Sequence, residues 1–316
     1  MWLLDWATSV CCERNEDDLL LEAMYSCNGG AVFRKLKACG KSDAQFGSAL
    51  VTSLTRDTPV CVSYVCSLLH GNVLFKSGFP ADLPEALLRI AHNATCEEAV
   101  AAASLLNSLG SEYRRDVLEC CERFITSRKC QQEVCTILAG VKCAEAVRLI
   151  VQMVSNSDDF RRWGDGKHHE WEDQLSAVFE GHGAESVGCF LEILSDSNYG
   201  KPIRHAATLA LGGILDQDAI STLIAVCRQN ERESERYSVG LAAGNALKKT
   251  MSMHGESLAT EDLCAIMELH DIRYYYPSEE NMGYVGCTYS LQSLRQMAEE
   301  LVEMKKAGET GRPRHF

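Results

Sequence analysis

The apolar positions of this chain recur in matching sets once certain glycines are aligned. Val117, Cys120, Cys121 and Phe124 follow Gly110, and Val147, Ile150, Val151 and Val154 follow Gly140. Val187, Phe190, Leu191 and Leu194 follow Gly181, and Ile220, Leu223, Ile224 and Cys227 follow Gly213. Each set is spaced i, i+3, i+4, i+7, which is one face of an α-helix. A second apolar stretch ends just before each glycine, in AASLLNSLG, EVCTILAG, LSAVFEG and AATLALGG. The predicted unit is helix, glycine turn, helix, and the glycine-to-glycine steps are 30, 41 and 32 residues. One such unit cannot bury its apolar face alone, so neighbours must stack. The expectation is an all-α chain, an α-solenoid of helix-turn-helix repeats.

The pattern divides the chain unevenly. Residues 1–95 read as divergent N-terminal helical repeats, with helices predicted at 16–27, 31–39, 43–55, 59–70 and 84–92. Asp82 and Glu85 form a capping pair there, with Pro84 tolerated in the first turn. Thr95 and Glu98 make a capping box for a helix ending at Leu109. Regular repeats occupy 96–251, with an insertion near 156–169; in the last repeat Arg204 aligns with Arg236. Residues 252–306 hold C-terminal helices: one from Glu261 to His270 with Thr260 as N-cap, then a Tyr-rich loop over 271–287. A final helix over 289–306 places Leu291, Leu294, Leu301 and Met304 on one side, and Gly308 can end it. Residues 307–316 read as a flexible tail.

The stretch PIRHAATLALGGILDQDAISTLIAVCR resembles the HEAT-like repeat first recognised in phycobilisome lyases. Arg204, Ala206, Ala207, Leu211, Gly212, Asp216 and Asp218 carry the match. The resemblance is good over about 200–250, fair over 96–200 and weak before 95. It implies a right-handed α-solenoid of stacked HEAT-like repeats, a scaffold shared by many unrelated functions.

Charge and composition narrow the function classes. The net charge of −13 argues against a nucleic-acid binder, because phosphates are bound chiefly through Lys and Arg. No apolar run reaches the ~20 residues that cross a bilayer. Sixteen cysteines occur, twelve of them within residues 1–143, without a CxxC pair or zinc-finger spacing. Cys120, Cys121 and Cys227 occupy the apolar register, so the expectation is reduced cysteines filling a helical core in a cytoplasmic protein.

Candidate chemistry gathers in two places. The insertion holds Trp163, Trp171, His168, His169 and Glu170, with Asp173 and His182 following. His168, His169, Glu170 and His182 are weak candidates for a metal site, set against an exposed loop whose tryptophans anchor a protein partner. Tyr274, Tyr275, Tyr276, Tyr284 and Tyr289 crowd the C-terminal loop, either packing it onto the last helices or binding a partner. Deoxyhypusine hydroxylase, a HEAT-like enzyme, holds di-iron with several His-Glu pairs; this chain has the single pair His169-Glu170, and His205 is followed by Ala206. GxSxG, Walker and GxGxxG motifs are absent, and no catalytic residue or cofactor is assigned. The reading is a non-catalytic protein-binding adaptor or scaffold. Its alternatives are a chromophore-handling protein resembling a phycobilin lyase subunit, and a metal-dependent enzyme using the His168–His182 region.

Overall fold

The computed structural model describes residues 81–156, 169–229, 239–277 and 284–309. The chain divides into two compact units, Met1–Leu138 and Ala139–Phe316. The helices predicted before residue 80 lie outside the described residues, as do 157–168 of the insertion, Arg236 and the tail from 310.

In the first unit, α1 (Leu83–Asn93) buries Leu83, Ala86, Leu87, Ile90 and Ala91, an i, i+3, i+4 stripe. Pro84 sits in its first turn, where the missing N–H costs nothing. Helix α2 (Cys96–Leu109) begins after Thr95. The predicted capping box closes only between side chains: the Thr95 hydroxyl lies 3.0 Å from Glu98 Oε2 and makes no cap to the backbone. Helix α3 (Arg114–Phe124) follows a 3-10 turn and buries Val117, Cys120 and Cys121. The three helices pack on one another. Arg123 donates to the carbonyls of Ala91 and His92, each at 2.7 Å, and so satisfies acceptors that the end of α1 leaves open.

Helix α4 (Gln131–Gly140) crosses the boundary between the units. The second unit then runs α5 (Ala144–Asn156), α6 (His169–His182), α7 (Val187–Ser195), α8 (Lys201–Leu211), α9 (Gln217–Gln229), α10 (Val239–His254) and α11 (Thr260–Met267). Strands β1 (Ile272–Pro277) and β2 (Tyr284–Tyr289) come next, and α12 (Gln292–Glu309) ends the described chain. Helices α5, α7, α9 and α11 contact in that order, and so do α6, α8, α10 and α12. Cross-contacts join α5 to α6, α7 to α8, α9 to α10 and α11 to α12. The apolar faces read from the sequence fill the seam: Val147, Ile150, Ile220, Leu223 and Cys227 are each 2% exposed or less. Phe179 of α6 and Phe190 of α7 meet with ring centroids 5.4 Å apart.

Several local expectations are corrected. Gly181 lies inside α6; the left-handed turn residue is Gly183, at φ +59°. Leu191 is half-buried, while Cys189 and Ile193 complete the α7 core in its place. Residues 272–277 and 284–289 are strands of one antiparallel hairpin, where the sequence reading had a loop. IRYYYP and YVGCTY are rich in aromatic and β-branched residues, which favour extended backbone. Thr260 is the first residue of α11, after the N-cap Ala259. Helix α12 continues through Gly308, and Met304 is 48% exposed although Leu291, Leu294 and Leu301 are buried. The hairpin apart, every regular element among the described residues is helical.

The cysteine expectation is also corrected in part. Cys120, Cys121 and Cys227 are buried, as the apolar register required, and Cys143 and Cys189 are buried as well; none of the five is in a disulfide. Cys264 is exposed, and Cys96 is joined to Cys130 in a disulfide.

Candidate functional site

The Tyr-rich segment is built on a backbone ribbon with a defined register. Ile272 faces Tyr289, Tyr274 faces Cys287, Tyr275 faces Gly286, Tyr276 faces Val285, and Pro277 faces Tyr284. Strand positions alternate between faces. In this register, positions 274, 276 and 289 fall in the same alternation class as 272, and positions 275 and 284 in the other.

A lone two-stranded hairpin is marginally stable in water. Here its base is fixed to α12. Asp271 Oδ1 accepts a hydrogen bond from the Leu291 backbone N–H at 2.9 Å, which ties the residue before β1 to the second residue after β2. Arg295 of α12 donates to the Leu269 carbonyl at 2.7 Å and pairs with Asp271 at 3.0 Å. Beneath these bonds Leu269, Ile272, Leu291 and Leu294 are each at most 2% exposed. The polar clamp ties the base of the hairpin to the start of α12.

A concavity lies between α5 and α7. It has a volume of about 320 Å³ and is lined by Arg148, Gln152, Asn156, Glu192 and Tyr199 over a floor that includes Val151, Cys189 and Ile193. Arg148 reaches across it to Glu192 at 3.1 Å, and that hydrogen bond raises the pKa of the already cationic guanidinium. Burial pushes the Cys189 thiol up to about 11, against the opposing pull of Arg148, so it stays protonated and weakly nucleophilic near neutrality.

The insertion candidates separate. Trp163 and His168 lie outside the described residues. The backbone of His169, Glu170 and Trp171 forms the first turn of α6, and His182 is its last residue. Thirteen residue steps along one continuous helix place His169 and His182 roughly 20 Å apart along the axis, so the helix does not bring them to one ion. His182 is 1% exposed and neither ring nitrogen makes a well-formed hydrogen bond. Burial lowers its pKa; the nearby Cys143 backbone opposes that shift, and Lys142 adds to it. No group of three or more His, Cys, Asp or Glu suited to a metal occurs among the described residues.

Asp271, Arg295, Arg148 and Glu192 escaped the sequence reading. Arg148 and Glu192 are 44 residues apart, and Arg295 and Leu269 are 26 apart. Neither spacing is a local helical pair, so only the folding of the chain joins them. Comparison of the chain with protein-family models, with curated proteins and with solved structures found no match.

Proposed function

We propose that this chain is a non-catalytic protein-binding adaptor or scaffold, built as a right-handed HEAT-like α-solenoid and working in the cytoplasm. The observation that carries the reading is the tyrosine hairpin clamped to α12 by Arg295 and Asp271. Tyrosine supplies rigid contact area with a polar tip at low entropic cost. Anchoring the base of such a ribbon reduces the ordering cost of binding. The solenoid part of the proposal draws support from the two orders of contact, α5–α7–α9–α11 and α6–α8–α10–α12, which are the neighbours that stacked helix pairs would have. The net charge of −13 favours a protein partner over nucleic acid.

The test is quantitative binding to partners recovered from native cells by affinity purification. Tyr274→Ala/Tyr275→Ala should weaken binding by about 2 kcal/mol or more, because anchor residues of this type dominate interfaces. The melting temperature should change little. Trp163→Ala/Trp171→Ala tests the insertion in the same assay. Undiminished binding by both double variants would remove the aromatic segments from the contact surface.

A further inference from the structure

The disulfide between Cys96 and Cys130 joins two residues 34 apart, with Cα atoms separated by 6.7 Å. We propose that this pair is a reversible thiol–disulfide modification site, taking a low-molecular-weight disulfide of the glutathione type as co-reactant. Cys96 is the entry sulfur and Cys130 the resolving one. This goes beyond the scaffold reading and does not depend on it.

Three observations support the assignment. The first is selectivity. Among the described residues outside the disulfide, five cysteines are buried, Cys135 is half-buried and only Cys264 is exposed; burial pushes Cys120 and Cys189 to about 11 and Cys121 and Cys227 to about 12. Thiols held so firmly protonated exchange slowly. The second is location. Cys96 is the first residue of α2, and Cys130 caps α4, with the Val134 N–H on its carbonyl at 2.9 Å. Helix N-termini favour the thiolate that exchange requires, and the exposed Arg128 and Lys129 beside Cys130 add to that. Glu97 and Glu98 act against it at Cys96. Ser127 Oγ lies 3.2 Å from Cys96 Sγ, where its hydroxyl can donate to the sulfur. The third is access: Cys96 is half-buried, whereas Cys130 is 2% exposed.

The steps balance. The Cys96 thiolate attacks one sulfur of the small disulfide, forming a mixed disulfide and releasing one small thiolate. The Cys130 thiolate then attacks Cys96 Sγ, closing the protein disulfide and expelling the second small thiolate. Two protein thiols are oxidised, one small disulfide is reduced to two thiols, and two protons pass to them or to solvent. Excess small thiol reverses both steps. The closed bond pins the start of α2 to the start of α4 and encloses α2 and α3 in its loop.

The experiment uses the full chain, fully reduced and then exposed to glutathione disulfide, with samples alkylated over time and mapped by mass spectrometry. In the unmodified sequence, glutathione should appear on Cys96 before Cys130, followed by an intramolecular Cys96–Cys130 bond that reduced glutathione reopens, while the exposed Cys264 takes a label that no second cysteine resolves. Cys130→Ser should accumulate the Cys96 mixed disulfide. Cys96→Ser should slow modification of Cys130 by at least about tenfold, given its burial. Glutathione reaching Cys130 as fast as Cys96, or any of the five buried thiols oxidising while this pair stays reduced, would overturn the proposal. Because the order of events is read on the unmodified chain, the result stands even where a variant folds poorly.

Discussion

His182 carries a sharp residue-scale consequence. Its ring is buried without a good partner, and its pKa is lowered chiefly by that burial. The unfolded chain therefore takes up a proton on this ring more readily than the folded one. Its contribution to stability is fully present above the unfolded value of about 6.5 and is lost as pH falls below that toward the folded value. Urea midpoints should drop between pH 7 and pH 5, and His182→Phe should flatten that part of the profile. An unchanged slope in the variant would assign the effect to other groups. Glycine is needed for a different reason at the end of α8. A Cβ on Gly212 would sit 2.8 Å from Ala246 Cα, and Gly213 adopts φ +86° while its N–H donates to Thr250 Oγ1 at 2.9 Å. Gly212→Val should cost about 2–3 kcal/mol through overpacking, since the clash is with backbone. Gly213→Ala should cost about 1–2 kcal/mol from the left-handed conformation. Equilibrium denaturation measures both.

At the scale of elements, the hairpin depends on α12. Arg295→Ala removes the donor to Leu269 and the partner of Asp271. The loss should be about 1–2 kcal/mol for a partly exposed charged hydrogen-bonding group. Its signature should be local: faster amide exchange across 272–289, with the protection of α8 and α9 unchanged. Uniform loss of protection would show that the clamp supports the whole unit instead. The helical seam answers to a different substitution. Ile224 of α9 is 5% exposed, and Ile224→Asp would bury an unpaired carboxylate between packed helices. A loss of several kcal/mol is expected in thermal or urea unfolding, and parent-like melting would contradict its place in the core.

At the scale of the molecule, burial divides the thiols into classes. Cys264 should label quickly with a water-soluble alkylating reagent, while Cys120, Cys121, Cys143, Cys189 and Cys227 should label only slowly until the chain is denatured. Mass mapping at short times separates these outcomes, and early modification of Cys121 or Cys227 would contradict the packing described. No helix among the described residues is long and apolar enough to cross a membrane.

Among the described residues, the amino-acid sequence by itself determined most of the helices and of their buried faces. The stripes Val147, Ile150, Val151, Val154 and Ile220, Leu223, Ile224, Cys227 were legible because a period near 3.6 is imposed by local backbone geometry, and all eight residues are buried. Ends were less legible. Whether Gly181 or Gly183 turns the chain, and whether Gly308 stops α12, depends on packing at the helix termini, which overrides single-residue preference. The strands at 272–277 and 284–289 were not legible because a short aromatic-rich run suits a contact loop as well as extended backbone, and only the pairing of the two segments distinguishes them. The Arg295–Asp271 clamp, the groove spanned by Arg148 and Glu192, and the juxtaposition of Cys96 with Cys130 belong to the tertiary structure alone. Their members lie tens of residues apart, and no local period encodes such pairs; helix packing and chain reversal bring them together.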